Sequence, residues 1–266
     1  IQLAFDRIKL RFDGNIGVDM PYSKKTAYSN KYKNKPIIKK SSKIKILIAA
    51  HCFSDSPHGH GKLLFADFYE WIDFLGKLSN NTDYDWYIKS HPDFKISTKK
   101  ILLDFTKKYK KFNLLPSDSS HHQIIKEGIN FALTCVGTIG FEYPMLGIPV
   151  INASQNNPHI SYNFNLHPKN ITEYEKLLRN LNQINFKIDK SEIAEYYYMN
   201  NIYNTNKLFF KDYEKMENKL GGYKKQFNPI VFNYWINEFH IDHHHRILKI
   251  LEQFLSSNDY RLRKLF

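Results

Sequence analysis

A chain of 266 residues can bury one substantial hydrophobic core or two small ones. Its hydrophobic content of 42% and aromatic content of 15% exclude a disordered chain, despite a mean hydropathy of -0.52. The net charge of +13 and pI near 9.4 point to an anionic partner. Nucleotide phosphates, anionic glycans, nucleic acid and the inner membrane leaflet all qualify, with a solvated basic face as the plain alternative.

The lysines are dispersed and no zinc-finger spacing occurs, so no nucleic-acid partner is expected. Cys52 and Cys135 end apolar runs and fit small buried residues in a reducing compartment better than a disulfide framework. No secretory leader is visible. The long apolar stretch from Ile129 to Ile151 is interrupted by Glu142, Pro144, Pro149 and several glycines, which argues against a spanning helix. The expected location is cytoplasmic, with peripheral contact to an anionic inner membrane permitted by the charge. The first residue is Ile, which points to excision from a longer protein.

Along the chain, residues before Lys43 read as a polar arm or linker with little periodicity. Ile44 to Ala50 is a buried-strand pattern, and Leu63 to Leu78 carries Leu64, Phe68, Trp71, Ile72 and Leu75 at helical spacing. Trp86 to Ile88 predicts a second strand ending at His91. Thr98 to Tyr109 predicts a basic amphipathic helix, and Phe112 to Leu115 a short strand. Ser120 and Gln123 have capping-box spacing, with Gly128 as the stop of a short helix. Strands from Phe131 and Pro149 flank a helix after Thr138, and Ile171 to Leu181 is another helix. This β-α alternation predicts an α/β fold, a Rossmann-like parallel sheet with helices on both faces, over residues 44–185. Residues 186–266 read as a helical, aromatic-rich extension.

In open parallel sheets, ligands bind outside the carboxyl ends of the strands. Those ends are polar throughout: His51 to Gly61, Lys89 to Pro92, Pro116 to Ser120, Gly137-Thr138 and Ser154 to His159. One edge of the sheet is therefore the expected site. In Phe131 to Ser154, a Gly-Thr turn between strand and helix offers backbone N–H groups to a phosphate. Glu142 lies one helical turn beyond Thr138 and can face the same ligand. His51, Asp55, His58 and His60 invite a metal reading, but their spacing matches no defined zinc motif. Ligand contact is preferred there, with a structural loop as the alternative, and no metal is expected. Asp83 and Asp85 imitate an Asp-x-Asp metal motif but precede a strand, which places them at the opposite edge. His243, His244 and His245 read as surface residues.

Taken together, HCFSDSPH, WYIKSHPDF and TCVGTIGFEYPMLGIPVINAS resemble bacterial capsule polysaccharide biosynthesis proteins. These are related to the capsular Kdo transferases and have the GT-B glycosyltransferase architecture. The resemblance covers about Lys43 to Leu181. It implies that residues 44–185 bind a nucleotide-sugar, CMP-linked in that wider group, with His91 and Pro92 at the donor phosphate. It further implies contacts from Gly137, Thr138 and Ile139 to phosphate and from Glu142 to ribose. Ser119 and Ser120 would take the place of a Ser/Thr motif near the nucleotide. Asp55 and His58 are the candidates for general base. No cofactor is implied beyond the donor, and the second substrate would be a glycan or glycolipid acceptor.

Two departures from that pattern stand out. Pro144 sits inside the short helix, where it removes a donor. Only some forty residues precede the first strand, too few for a second Rossmann-like half. Either an N-terminal domain is missing, or the chain is a donor-binding half that works with a partner. Transfer of glycerol phosphate or another phosphoryl group from a nucleotide carrier is the rival chemistry. A non-catalytic module of a capsule-assembly complex is the rival class.

Overall fold

The computed structural model describes residues 1–20, 23, 25–29, 31–54, 59, 61–91, 96–203, 218–221, 225, 227–238 and 240–257. They divide into two compact units, Ile1–Tyr203 and Asn204–Phe266. In the first unit the elements run α1 (Gln2–Phe12), β1 (Lys45–Ala50), α2 (Phe68–Ser79), β2 (Asp85–Ser90), α3 (Ile96–Lys108) and β3 (Phe112–Leu114). They continue with α4 (His121–Lys126), β4 (Phe131–Thr134), α5 (Ile139–Met145), β5 (Val150–Asn152), α6 (Ile171–Arg179) and α7 (Lys190–Tyr197). A π-helical turn, Tyr198–Tyr203, closes the unit.

The five strands are all parallel, in the order β3-β2-β1-β4-β5. Both faces of such a sheet are covered, so its strands are apolar almost throughout. Successive residues then divide between two cores. Ile46, Ile48, Trp86, Ile88 and Leu133 pack with Phe68, Trp71 and Leu75 of α2, Leu102 and Phe105 of α3 and Tyr174 of α6. Leu47, Tyr87, Ala132 and Val150 face Ile124 of α4 and Ile139 and Tyr143 of α5. The alternation seen in the sequence is thus a three-layer α/β domain. Asp83 and Asp85 lie at the amino end of β2, beside Lys43 and Ser41, away from the strands' carboxyl ends.

Helix starts follow from local chemistry. Asp67 Oδ1 accepts the Glu70 N–H at 2.8 Å to begin α2, and Asn170 Oδ1 accepts the Glu173 N–H at 2.9 Å to begin α6. Ser120 caps α4 as its spacing suggests, accepting the His122 N–H at 3.2 Å. The expected return bond from Gln123 is absent among its recorded bonds. Its amide carbonyl takes the Lys33 N–H at 2.7 Å and its amino group donates to Glu127 at 2.7 Å.

Gly76 shows how closely α2 and the residue that follows α3 approach within one layer. A Cβ there would lie 2.3 Å from Cδ2 of Tyr109, whose hydroxyl is held by Asp73 at 2.7 Å. Gly76→Ala is therefore expected to destabilise the unit by about 1–3 kcal/mol through overpacking. Chemical denaturation would read this as a lower midpoint with an unchanged slope.

The segment before Lys43, expected to be an arm or linker, is part of the folded unit. Ala4 and Ile8 of α1 are buried in a third core with Phe141 and Met145 of α5 and Ile193 and Tyr197 of α7. Asp19 joins the same elements, accepting from Arg7 at 2.6 Å and from the Tyr197 hydroxyl at 2.7 Å. Further on, Glu127 Oε2 accepts the N–H groups of Ile37 and Ile38, each at 2.8 Å. Periodicity missed this because only two residues of α1 are fully buried, too few for a clear stripe. The unit also extends to Tyr203, beyond the boundary expected near residue 185. In the second unit the long described helices are α8 (Pro229–Glu238) and α9 (Ile241–Ser256), and His244 and His245 of α9 are exposed. Among the described residues, no helix is long and apolar enough to cross a membrane.

Candidate functional site

The strand order reverses between β1 and β4, so the connections leaving these strands diverge and open a crevice at their carboxyl ends. A cavity of about 130 Å³ occupies this place. Its floor comes from Ala49 to His51 at the end of β1, Lys89 to His91 at the end of β2, and Thr134, the last residue of β4, with Gly137 to Ile139 beyond it. Residues of the N-terminal segment, among them Ile16, Met20, Lys25 and Tyr28, complete the lining. That second contribution left no signal in the sequence.

Of the residues expected at the site, His91, Gly137, Thr138, Ile139 and Glu142 line this cavity. Asp55, His58 and Pro92 lie outside the described residues, as does His60. Ser119 and Ser120 are buried but are not among the lining residues. Ser120 is engaged as the α4 cap, and the buried Ser119 hydroxyl has no hydrogen-bond partner among the described residues.

The turn after β4 is organised by His51. Its Nε2 accepts the N–H groups of Cys135 at 3.2 Å and Val136 at 3.4 Å, which makes that nitrogen the acceptor. The Thr134 hydroxyl, 3.1 Å away, therefore donates to it, and its oxygen accepts the Gly137 N–H at 3.1 Å. The ring stacks on Phe68, with centroids 4.4 Å apart. A Cβ on Gly137 would come within 2.8 Å of Thr134 Oγ1 and 3.4 Å of His51 Cε1, so glycine is required by close approach. The Gly137 N–H is thus engaged within the turn, and α5 that follows is only seven residues long. Pro144 leaves the Gly140 carbonyl without its usual helical donor, and the Asn165 side chain supplies one.

Glu142 is held from both sides by the N-terminal segment. Arg11 forms a short ion pair with Oε1, and the buried Tyr28 hydroxyl donates to Oε2 at 3.0 Å. Burial disfavours the Arg11 charge, but Glu142 outweighs it and holds the guanidinium pKa above its ordinary value. Burial, and then Glu142, push the Tyr28 phenol well up. A carboxylate retains further lone pairs, so the pairing orients Glu142 without exhausting it.

The remaining charges are positive. Lys89, the fifth residue of β2, is 2% exposed, and its recorded hydrogen bond is a long one of 3.5 Å to the Ser90 carbonyl. Burial lowers its pKa to about 8. His121 of α4 bonds the Tyr143 hydroxyl at 2.7 Å, and burial, followed by Lys89 and His91, keeps its pKa well below the ordinary value. Among the described lining residues Arg11, Lys25 and Lys89 are cationic, and Glu142 is the one carboxylate. The cavity is therefore suited to an anion. Among the described residues, no group of three or more His, Cys, Asp or Glu side chains is arranged to hold a metal ion.

Lys89 was legible in principle, since a lysine inside WYIKS interrupts a buried run. Arg11, Lys25 and Tyr28 were not, because their role depends on long-range contacts.

Fold and cavity define an open, Rossmann-like α/β protein with a basic crevice at its topological switch point. No family model and no curated protein sequence matches the chain. Similar solved structures include Thermosulfurimonas dismutans KpsC, a beta Kdo 2,4 transferase, at 14% identity and a TM-score of 0.48. That match covers 74% of this chain and 54% of KpsC. The wall teichoic acid polymerase TagF is similar at 14% identity and a TM-score of 0.36, with 62% of this chain and 40% of TagF covered. A substituted form of TagF gives 12% identity and a TM-score of 0.35, with 90% and 49% covered. The chain spans about half the length of these proteins or less.

Proposed function

We propose that this chain is a glycosyltransferase, or the donor-binding half of one, that transfers a sugar from a nucleotide-activated donor to a capsule or surface polysaccharide. The observation that carries the reading is the basic cavity at the β1/β4 switch point, with one described carboxylate that is already paired. The capsule-type motifs converge there, with His91, Gly137 and Glu142 among the lining residues. In this reading His91 and the lysines stabilise the departing nucleotide phosphate as an acceptor hydroxyl displaces it at the anomeric carbon. Side-chain cations supply that stabilisation, so the route is metal-independent. Asp55 and His58 remain the candidates for the base that deprotonates the acceptor. The net charge of +13 supports work beside anionic glycans or the cytoplasmic face of a membrane.

The test is a thermal-shift screen of CMP, CDP, UDP and GDP compounds against the whole chain, followed by calorimetry. One nucleotide class is expected to raise Tm selectively, and His91→Ala to weaken its binding at least tenfold while the unliganded Tm stays within about 2 °C. No selective response, or equal affinity in the His91 variant, would overturn the assignment.

A further inference from the structure

We propose that Lys89 is the phosphate-binding cation of the cavity, and that the enclosed space around it takes an inorganic-phosphate or diphosphate-sized anion. The inference deepens the reading of the crevice as a nucleotide-sugar site and rests on it for the identity of the physiological ligand.

Three independent observations converge on this residue. The first is its position in the sheet. Lys89 pairs with Ala49 in the parallel ladder and lies next to the last residue of β2, so its backbone is fixed against β1. It shares a sheet face with Tyr87 and Leu47, the face covered by α4 and α5. A flexible side chain is thereby held at the carboxyl edge where open sheets bind ligands.

The second observation is the absence of a counter-ion. Lys89 is 2% exposed, yet among the described residues it takes part in no ion pair. Asp118, the acidic group that acts on it at longer range, is paired with Lys33. The carbonyl of Ser90, at 3.5 Å, satisfies at most one of three ammonium donors. Lysine is rarely buried unless paired, because removing its charge from water is costly. His121 beside it is kept neutral by its own burial and so supplies no compensating negative charge. Among the described residues the ammonium therefore lacks a counter-ion that an anion in the cavity would supply.

The third observation is size. About 130 Å³ falls below the roughly 300–1,000 Å³ of pockets that enclose a whole small-molecule ligand. A cavity of this size suits a phosphate or diphosphate group, with the rest of a larger donor extending beyond it. Burial opposes the ammonium and an anion favours it, so a bound anion offsets the cost that burial imposes on the charge.

The experiment measures pyrophosphate, CMP and CDP binding by calorimetry and thermal shift for the whole chain and for Lys89→Met, Lys89→Gln and Lys89→Arg. Methionine keeps the length of the stem without the charge. Expected are pyrophosphate stabilisation of the parent chain, at least a tenfold loss in the Met and Gln variants, and partial recovery with Arg. The Met variant is also expected to have an unliganded Tm equal to or above that of the parent, which a purely structural lysine would not give. Undiminished pyrophosphate binding in Met and Gln, or none in the parent, would overturn the inference. Lys89-dependent pyrophosphate binding with no nucleotide response would retain the phosphate site and remove the nucleotide-sugar reading. Selective nucleotide binding that is equal in parent and Met would do the reverse.

Discussion

Arg11→Ala is expected to lower the stability of the first unit by about 3–5 kcal/mol, a fall in Tm on the order of 10 °C. Arg11 and Glu142 are both largely enclosed, with 13% and 7% side-chain exposure. Removing the guanidinium leaves a buried carboxylate with Tyr28 as its recorded hydrogen-bond donor. The same substitution frees the Val18 carbonyl, which Arg11 binds at 3.0 Å, and so loosens the turn that carries Asp19. Combining Arg11→Met with Glu142→Gln should recover most of the loss. The second variant needs no counter-charge, and its amide can still accept from Tyr28. A double variant as unstable as the single one would show that the segment is held by its apolar contacts. The pair also bears on ligand binding. If Glu142 meets the donor ribose, Arg11→Ala will weaken nucleotide binding by misplacing it, even where the fold persists.

Acid should destabilise the unit well before its carboxylates titrate. His159 is buried with its ring centroid 5.4 Å from that of Tyr196, and burial, followed by His167, lowers its pKa to about 3. His167, more exposed, is lowered to about 4, again by burial. The unfolded chain protonates these rings near pH 6.5, whereas the folded one does not. Between those values the unfolded state binds more protons, so stability is fully present above about pH 6.5 and is lost as pH falls toward 3 to 4. For His159 alone the loss at pH 4 is on the order of 3 kcal/mol. Denaturation midpoints measured from pH 7 to 4 should follow this slope. His159→Gln should flatten it. An unchanged slope in that variant would assign the acid sensitivity elsewhere.

Beside this histidine pair lie Asn152, 3.5 Å from His167 Nδ1, and Asn165, whose amide donates to the Gly140 carbonyl. A Cβ on Gly140 would fall 2.6 Å from His159 Cε1, so the helix and the loop after β5 meet through a glycine. The sequence marked that loop as polar and assigned it to the ligand edge. The fold buries Ser154, Asn157 and His159 of it, with His159 against Gly140 of α5 and Tyr196 of α7, and leaves Gln155, Asn156 and Pro158 exposed.

The strands and most helices were legible because their signals are local. Apolar runs of strand length, residues such as Asp67, Ser120 and Asn170 at helix starts, and Gly128 and Gly147 at positive φ each act within a few positions. Alternation of such signals is enough to require a parallel sheet, and a parallel sheet is enough to place ligands at its carboxyl edge. The sequence alone therefore determined the fold class, the edge and five of the lining residues. Tertiary structure decided what lies over that edge. Arg11 and Glu142 are 131 residues apart, Tyr28 and Glu142 are 114 apart, and Gln123 and Lys33 are 90 apart. No local pattern encodes such pairings, because they form only when separate elements pack and exclude water. The isolation of Lys89 within a basic cavity has the same origin. The sequence shows a lysine at the end of an apolar strand, but burial and the lack of a counter-ion among the described residues are properties of everything around that side chain.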